Sequence, residues 1–225
     1  MTTRVAAVTS QTQLSVTERA RSLYDEWPED YDRQLLERCD YRSPARLARV
    51  LGDLCVSMRF HGPWLDLGAG TGLAGRALHD AGIALSLIAV DLSPAMLARI
   101  HHDPYIACAA SDVLDAARLR SLPAHGALAL GLTEHLVDLA PWFAACAALL
   151  PHGAPLVFSY CPLHDERTQG SDIFESFTNL HAHTPSHVAR ALAVNAFLPT
   201  SEHDGPGYTT AGQPVPHRLV VAHRQ

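Results

Sequence analysis

The stretch LDLGAGTG, residues 65–72, decides the fold, because three glycines at positions 68, 70 and 72 directly follow an apolar run. Glycine in such a run lets the backbone turn tightly or lie close to a bound molecule. The apolar residues before it predict a buried strand, and residues 72–82 predict a helix. A glycine-rich turn from a strand into a helix presents backbone N–H groups and a helix N-terminus to one ligand.

Strand-like and helical segments alternate along the chain beyond Trp64. Strands are predicted at 63–68, 85–91, 105–110, 126–132 and 154–160, with a β-rich stretch at 216–224. Helices are predicted at 72–82, 93–102, 139–150 and 184–197, with Ser93 and Thr184 as N-caps of the second and the last. This alternation predicts an α/β fold with a mostly parallel sheet and helices on both faces.

The first sixty residues have a different pattern. Residues 1–14 are rich in Thr, Gln and Ser and predict a disordered tail. Residues 15–60 read as helices, beginning with a capping box of Ser15 and Glu18. We therefore divide the chain into a tail at 1–14, an N-terminal helical lid at 15–60 and an α/β domain at 61–225.

The composition restricts the class of protein. The chain has 225 residues, of which 48% are hydrophobic, and a formal net charge of −6. This acidic balance disfavours a nucleic-acid binder, which normally presents a basic face, and suits a small ligand. All 17 basic residues are arginine, which excludes a lysine Schiff base and a lysine-dependent phosphate loop.

Cysteine spacing and hydropathy indicate the compartment. The five cysteines lie far apart without a CxxC pair, which indicates reduced thiols and neither a disulfide framework nor a zinc site. The sequence has no stretch typical of a signal peptide or a membrane span. We therefore expect a cytoplasmic protein that does not bind a membrane.

Asp91 ends the second predicted strand, 21 positions after Gly70. A carboxylate at this place can accept hydrogen bonds from both hydroxyls of a ribose, which points to a nucleoside-containing cofactor. A nicotinamide dinucleotide stays an alternative, since Gly70, Gly72 and Gly75 match G-x-G-x-x-G. That frame starts two residues later than expected and leaves the preceding Asp66 without a role.

The acid followed by G-x-G-x-G in LDLGAGTG resembles the first motif of class I S-adenosylmethionine-dependent methyltransferases. The segments at 90–97, 110–115 and 148–160 (VDLSPAML, ASDVLD and ALLPHGAPLVFSY) resemble their second and third acidic motifs and their turn into strand five. Residues 23–47 resemble the helical lead-in of a bacterial subgroup, the TPR-associated or Williams–Beuren-region-like predicted methyltransferases. The resemblance covers 18–224 and implies a Rossmann-like seven-stranded sheet, S-adenosyl-L-methionine as cofactor and S-adenosyl-L-homocysteine as product.

The resemblance also implies a set of cofactor-binding residues. The three glycines would face the methionine end of the cofactor, Asp66 its amino group and Asp91 its ribose. The remaining expected contacts, most of them around the adenine and in the glycine loop, are Ala69, Thr71, Leu92, Met96, Asp112, Val113 and Gly131. Two of these have structural alternatives, because Asp112 could cap a loop and Met96 could be a core residue.

Tyrosines and histidines supply the other candidates. Tyr24 and Tyr31, with Trp27, are expected either to pack the N-terminal helices or to cover the sulfonium as a lid.

A base is needed only if the acceptor atom loses a proton. His135, His181 and His183 are the candidates, although the last two could instead contact substrate or stabilise their loop. We expect no metal, because the H-x-H pair has no third ligand at a suitable spacing.

Strand four indicates the kind of acceptor. It lacks the (D/N)PP(Y/F/W) signature of methylases that act on nucleic-acid bases, which together with the acidic balance favours a small-molecule acceptor. We expect methyl transfer to an O or N atom, in bacterial secondary metabolism. His125 and Gly131 stand where the subgroup often has acids. This departure leaves open a repurposed member that binds cofactor or substrate without methyl transfer. A nicotinamide-dependent oxidoreductase is the weaker alternative, since no Tyr-x-x-x-Lys exists without lysine.

Overall fold

The computed structural model describes residues 21–22, 24–26, 30–57, 62–101, 103–163, 180–210 and 212–225. A seven-stranded sheet forms the centre of the molecule. Its strands are β1 (Trp64–Leu67), β2 (Leu87–Asp91), β3 (Tyr105–Ala110), β4 (Ala127–Ala129), β5 (Pro155–Tyr160), β6 (Phe197–Thr210) and β7 (Gln213–Arg224). They lie in the order β3-β2-β1-β4-β5-β7-β6. The first five are parallel, and β7 is antiparallel to both of its neighbours. The prediction of an α/β fold with a mostly parallel seven-stranded sheet is confirmed.

The described helices lie between the strands or before the first of them. They are α1 (Tyr31–Arg33), which continues into a π-helical stretch (Gln34–Arg38), α2 (Ser43–Ser57), α3 (Leu73–Asp80), α4 (Pro94–Leu97), α5 (Ala116–Leu119), α6 (Ala140–Leu149) and α7 (Pro185–Val194). The predicted caps are confirmed, since the Ser93 and Thr184 hydroxyls accept hydrogen bonds from the Met96 and His187 amides. Helix α4 is shorter than the predicted 93–102.

Two apolar layers cover the sheet, because neighbouring residues of a strand face opposite sides. On one side, α2 and α3 pack against Trp64, with Leu47 and Leu78 in the same cluster. On the other side, α6 and α7 pack their apolar side chains, among them Trp142, against Leu65. Helices on both faces were predicted and are confirmed.

The long hairpin of β6 and β7 contains a strand that the sequence analysis did not locate. Strand β6 is polar and contains two prolines and two glycines, which are typical of loops. It lies at the edge of the sheet, where proline removes few ladder hydrogen bonds. The pairing of β6 with β7 shifts register between Pro206 and Tyr208, around Gly207. A second shift of register lies between Pro199 and Ser201.

Some predictions lie outside the described residues, namely the tail at 1–14, the capping box of Ser15 and Glu18, and Trp27. Within the described part, four cysteines are free thiols: Cys39, Cys108, Cys146 and Cys161. None of the described helices is long and apolar enough to cross a membrane.

Candidate functional site

A cavity of about 400 Å³ opens beside the glycine turn and the carboxyl end of β2. Its wall is built by the turns after β1, β2, β3 and β4, by the bulged hairpin and by the N-terminal segment, which here means the described residues between 21 and 41. Thirteen of the expected site residues line it: Tyr24, Tyr31, Asp66, Gly68, Ala69, Gly70, Thr71, Asp91, Leu92, Asp112, Val113, Gly131 and His135. The structure therefore brings together residues that are up to 111 positions apart in the sequence.

Four expected residues do not line this cavity: Gly72, Met96, His181 and His183. Gly72 stands at the N-cap of α3, and Met96 is buried in α4. The buried His183 ring places Nε2 3.0 Å from the Thr133 carbonyl oxygen, and the His181 amide donates to the Glu134 carbonyl at 2.7 Å. These contacts tie the segment before α7 to the turn after β4.

The glycine turn needs glycine for its backbone shape. Gly68, Gly70 and Gly72 have φ angles of 75°, 54° and 84°, in the left-handed region that other residues rarely adopt. The Asp91 carboxylate closes this turn, since it accepts hydrogen bonds of 2.8 Å from the Gly70 and Ser93 amides. Burial raises the pKa of Asp91, and these backbone bonds oppose the rise.

Asp66 lies at the base of the cavity and is buried. Burial raises its pKa to about 7, against the effect of the Tyr105 hydroxyl, which donates a hydrogen bond to Asp66 Oδ2. The same hydroxyl accepts from the Gly75 amide at 3.1 Å. A Cβ atom on Gly75 would lie 2.3 Å from the Tyr105 ring. Gly75, the third glycine of the alternative dinucleotide frame, is therefore required by the packing of Tyr105.

The N-terminal segment is attached to the glycine turn and to the residues after β2. The Thr71 hydroxyl donates to Asp32 at 2.5 Å, and the Ser93 hydroxyl donates to Asp25 at 2.5 Å. Both hydroxyls come from cavity-lining residues. Two aspartates of the N-terminal segment thus reach across to the part of the wall where the cofactor is expected.

His135 stands in the 3-10 turn after β4, formed by residues Thr133–His135. Burial lowers its pKa, so the imidazole is neutral near pH 7. The Tyr24 hydroxyl lies 2.9 Å from its Nε2 atom. A neutral imidazole is able to accept a proton, but this nitrogen already faces Tyr24.

The cavity contains a buried polar cluster that the sequence analysis missed. Glu134 and His217 are 2% and 1% exposed, and Glu134 Oε1 lies 3.0 Å from His217 Nε2. The Ser43 hydroxyl oxygen lies 2.8 Å from the other ring nitrogen, Nδ1. The Tyr41 and Tyr208 rings stand edge-on to the His217 ring, with centroids 6.4 and 5.2 Å away. In the sequence, the one signal was His217, a histidine just before the apolar run of β7.

The charge of the cavity wall is negative. Five acidic residues line it: Asp66, Asp91, Asp112, Glu134 and Asp138. Arg21 is the one Arg or Lys side chain among the described lining residues. The described residues contain no group of three or more side chains that could hold a metal ion. Positive or neutral ligands therefore suit this cavity better than anions.

Comparison with known proteins extends the description of the fold. No protein-family model matches this chain, and no curated protein matches its sequence. The solved structure of magnesium protoporphyrin IX methyltransferase from Synechocystis PCC 6803 with bound S-adenosylmethionine is similar, with a TM-score of 0.66 and 13% identity over 96% of this chain and 100% of that one.

Two further solved structures share the architecture. Geranyl diphosphate C-methyltransferase from Streptomyces coelicolor A3(2) has a TM-score of 0.65 and 15% identity, over 95% of this chain and 99% of that one. The 4+2 cyclase SpnF has a TM-score of 0.60 and 13% identity, over 80% of this chain and 81% of that one. At such identities the likeness shows a common fold, and this fold is the one found in S-adenosylmethionine-dependent methyltransferases.

Proposed function

We propose that this chain is an S-adenosylmethionine-dependent methyltransferase that methylates an O or N atom of a small molecule and releases S-adenosylhomocysteine. One observation carries the proposal: the Asp91 carboxylate closes a left-handed glycine turn beside a cavity of about 400 Å³, in a methyltransferase fold. Two neighbours are methyltransferases whose names give magnesium protoporphyrin IX and geranyl diphosphate as small-molecule substrates.

Each end of the cofactor has a matching part of the wall. Asp91 retains acceptor capacity for the ribose hydroxyls, because a carboxylate accepts about four hydrogen bonds and two come from the backbone. Asp66 would receive the amino group, while Leu92, Asp112 and Val113 would surround the adenine. Gly72 and Met96 would support the site from behind the wall.

The N-terminal segment is proposed as the cover of this site. Tyr24 and Tyr31 line the cavity with ring centroids 6.2 Å apart, and Asp25 and Asp32 hold the segment to the wall. Two aromatic faces there would exclude water from a sulfonium. We extend this cover to residues 15–60, ahead of the domain at 61–225, and propose membership of the bacterial subgroup named above, in secondary metabolism in the cytoplasm.

Methyl transfer from a sulfonium is an in-line displacement, and the bound cofactor would supply the activated methyl group. Holding two reactants in line can lower the activation free energy by about 7–11 kcal/mol, so positioning is the main task of this chain. His135 is the remaining histidine candidate for a base, because it alone of the three lines the cavity. His181 and His183 are better assigned to stabilising the loop before α7.

A second candidate is a protein of this fold that binds cofactor or substrate without methyl transfer. The structural likeness to a cyclase supports it, because that neighbour bears the name of a different reaction. The dinucleotide-dependent oxidoreductase loses support, since the packing of Tyr105 accounts for Gly75.

Calorimetric titration with S-adenosylmethionine, S-adenosylhomocysteine and NAD tests the cofactor. We expect micromolar binding of both sulfur compounds and none of NAD. Asp91→Ala should weaken binding by about 10- to 100-fold, as expected for charge-assisted hydrogen bonds of ~1.5–3 kcal/mol. Asp80→Asn, which removes a carboxylate at the exposed end of α3, is the control. Binding of NAD alone would overturn the proposal.

A further inference from the structure

The part of the cavity away from the glycine turn has its own architecture. There the wall is formed by the turn after β4, the bulged hairpin and the residues before α2, and it includes Tyr41, Glu134, Tyr208 and His217. The expected cofactor contacts come mainly from the turns after β1, β2 and β3. Because the strand order separates β4 and the hairpin from β2 and β3, this second part is available for the acceptor.

Glu134 is the charged group of this acceptor end. Burial would raise the pKa of its carboxyl, but the adjacent His217 outweighs burial, so the pKa lies below its usual value and the group is a carboxylate. A carboxylate accepts about four hydrogen bonds. Among the described residues, Oε1 has no well-aligned donor, although His217 Nε2 is 3.0 Å away. Oε2 lies 3.3 Å from the Thr133 hydroxyl. That hydroxyl has a shorter hydrogen bond, of 2.8 Å, to the Ser159 carbonyl.

A buried carboxylate oxygen without an aligned donor, as Oε1 is within the described part of the chain, is costly unless a ligand supplies one. The Tyr41 and Tyr208 rings line the same cavity as Glu134 and stand edge-on to the His217 ring. Burial, and after it the charge of Glu134, raises the pKa of both phenols, so the negative charge of Glu134 acts on both residues. The negative faces of such rings favour a cation.

Anionic acceptors do not fit this end of the cavity. Arg21 is the one Arg or Lys among the described lining residues, and its side chain is 54% exposed and pairs with Asp25 at 3.4 Å. The described residues also offer no metal-binding cluster that could neutralise a phosphate. A carboxylate or phosphate placed beside Glu134 would meet a like charge.

We propose that Glu134 and the Tyr41 and Tyr208 rings bind a protonated amine on the acceptor molecule. The inference rests on the proposed function and adds the chemical class of the acceptor. A protonated nitrogen has no lone pair, so the methylated O or N atom is a different atom of the same molecule while the amine is anchored. Glu134 is then a specificity-determining residue, oriented by His217.

Three probes of one skeleton test this: tyramine, 4-hydroxyphenylethanol and 4-hydroxyphenylacetate carry an ammonium, a hydroxyl and a carboxylate. Each is titrated calorimetrically into the protein saturated with S-adenosylhomocysteine. We expect tyramine to bind at least tenfold more tightly than the alcohol, and the acid not to bind. In Glu134→Gln, which keeps the size of the side chain, the tyramine preference should disappear, whereas Asp80→Asn should retain it.

Three results would overturn the inference. They are equal affinities for the amine and the alcohol, no binding of tyramine at millimolar concentration, and an unchanged preference for tyramine in Glu134→Gln. If Glu134→Gln does not fold, the ratio of the tyramine and alcohol affinities in the unmodified protein still tests the inference. S-adenosylhomocysteine binding is measured first, so its absence would count against the proposed function; the probe series on the ligand-free protein would then test the amine site separately.

Discussion

The Tyr24 hydroxyl lies 2.9 Å from Nε2 of His135, which joins the N-terminal segment to the 3-10 turn after β4. The two rings also meet edge to face, with centroids 5.5 Å apart. Both residues line the cavity, so this contact connects two of its walls. We expect this contact to slow the exit of a ligand between these two walls.

Removing the Tyr24 hydroxyl should therefore speed the release of ligand. In Tyr24→Phe we expect S-adenosylhomocysteine to dissociate roughly fivefold faster, because a net hydrogen bond is worth about 1 kcal/mol. Stopped-flow displacement measures this rate. Tyr160→Phe removes a buried phenol hydroxyl from β5, outside the cavity wall, and should leave the rate unchanged. Equal rates for Tyr24→Phe and the unmodified protein would show that this contact does not limit release.

The pKa of Asp66 predicts how cofactor binding depends on pH. In the ligand-free protein this carboxyl has a pKa of about 7, and only its ionised form would pair with the amino group of the cofactor. The affinity for S-adenosylhomocysteine should therefore fall by about eightfold between pH 7.5 and pH 6. Asp66→Asn should bind more weakly, with a flatter pH profile. A profile in Asp66→Asn as steep as in the unmodified protein would assign the titration to another group.

The same carboxyl acts in the opposite direction on the stability of the ligand-free protein. Its folded-state pKa is raised from 3.8 to about 7, so the folded state holds this proton more tightly than the unfolded state. Its contribution to stability is full below about pH 4 and is lost as the pH rises to 7. The free energy of unfolding, measured by urea titration, should fall over this range more steeply in the unmodified protein than in Asp66→Asn.

The contact between Thr71 and Asp32 should couple the N-terminal segment to the glycine turn. The hydroxyl and the carboxylate are 2.5 Å apart. Thr71→Val, Asp32→Asn and the double variant form a double-mutant cycle. We expect a coupling of about 1.5–3 kcal/mol in the free energy of unfolding, which is usual for a hydrogen bond to a charged group. Simple additivity of the two single variants would mean that the contact does not stabilise the fold.

Two helical glycines provide a matched test of why Gly75 is present. A Cβ atom at Gly75 would lie 2.3 Å from the Tyr105 ring, while one at Gly52 would lie 4.0 Å from Ile83. Gly75→Ala should therefore destabilise the protein by about 1–3 kcal/mol. Gly52→Ala should stabilise it by about 0.5–1 kcal/mol, because alanine is the better helix former. A neutral Gly75→Ala would remove the packing explanation for this glycine.

The fold could be predicted wherever the sequence has a local pattern. Strand β3 has the predicted bounds 105–110, and Ser93 caps its helix as predicted. Strand β6 could not be located, because its prolines and glycines are tolerated only through its position at the sheet edge. That position depends on pairing with β7, which no local pattern records.

The site also has a part with a local sequence pattern and a part without one. The glycine turn and Asp91 carry a motif, and their expected proximity is found in the 2.8 Å bond from Gly70 to Asp91. Glu134 and His217 are 83 positions apart in a sequence that shows no relation between them, and only the pairing of β5 with β7 brings them together. Contacts of this kind arise from tertiary structure, so the sequence did not show that Glu134 and His217 would meet.

The bulge at Gly207 has a consequence for the engineering of this protein. A side chain at 207 would come within 2.4 Å of the His217 ring, so a larger residue there would displace this ring, which lines the cavity. The two strands of the hairpin lie far from the glycine turn in the sequence. If the proposed function holds, exchange of the hairpin would change the acceptor side of the cavity and leave Gly70 and Asp91 unaltered, which makes the hairpin a segment suited to engineering.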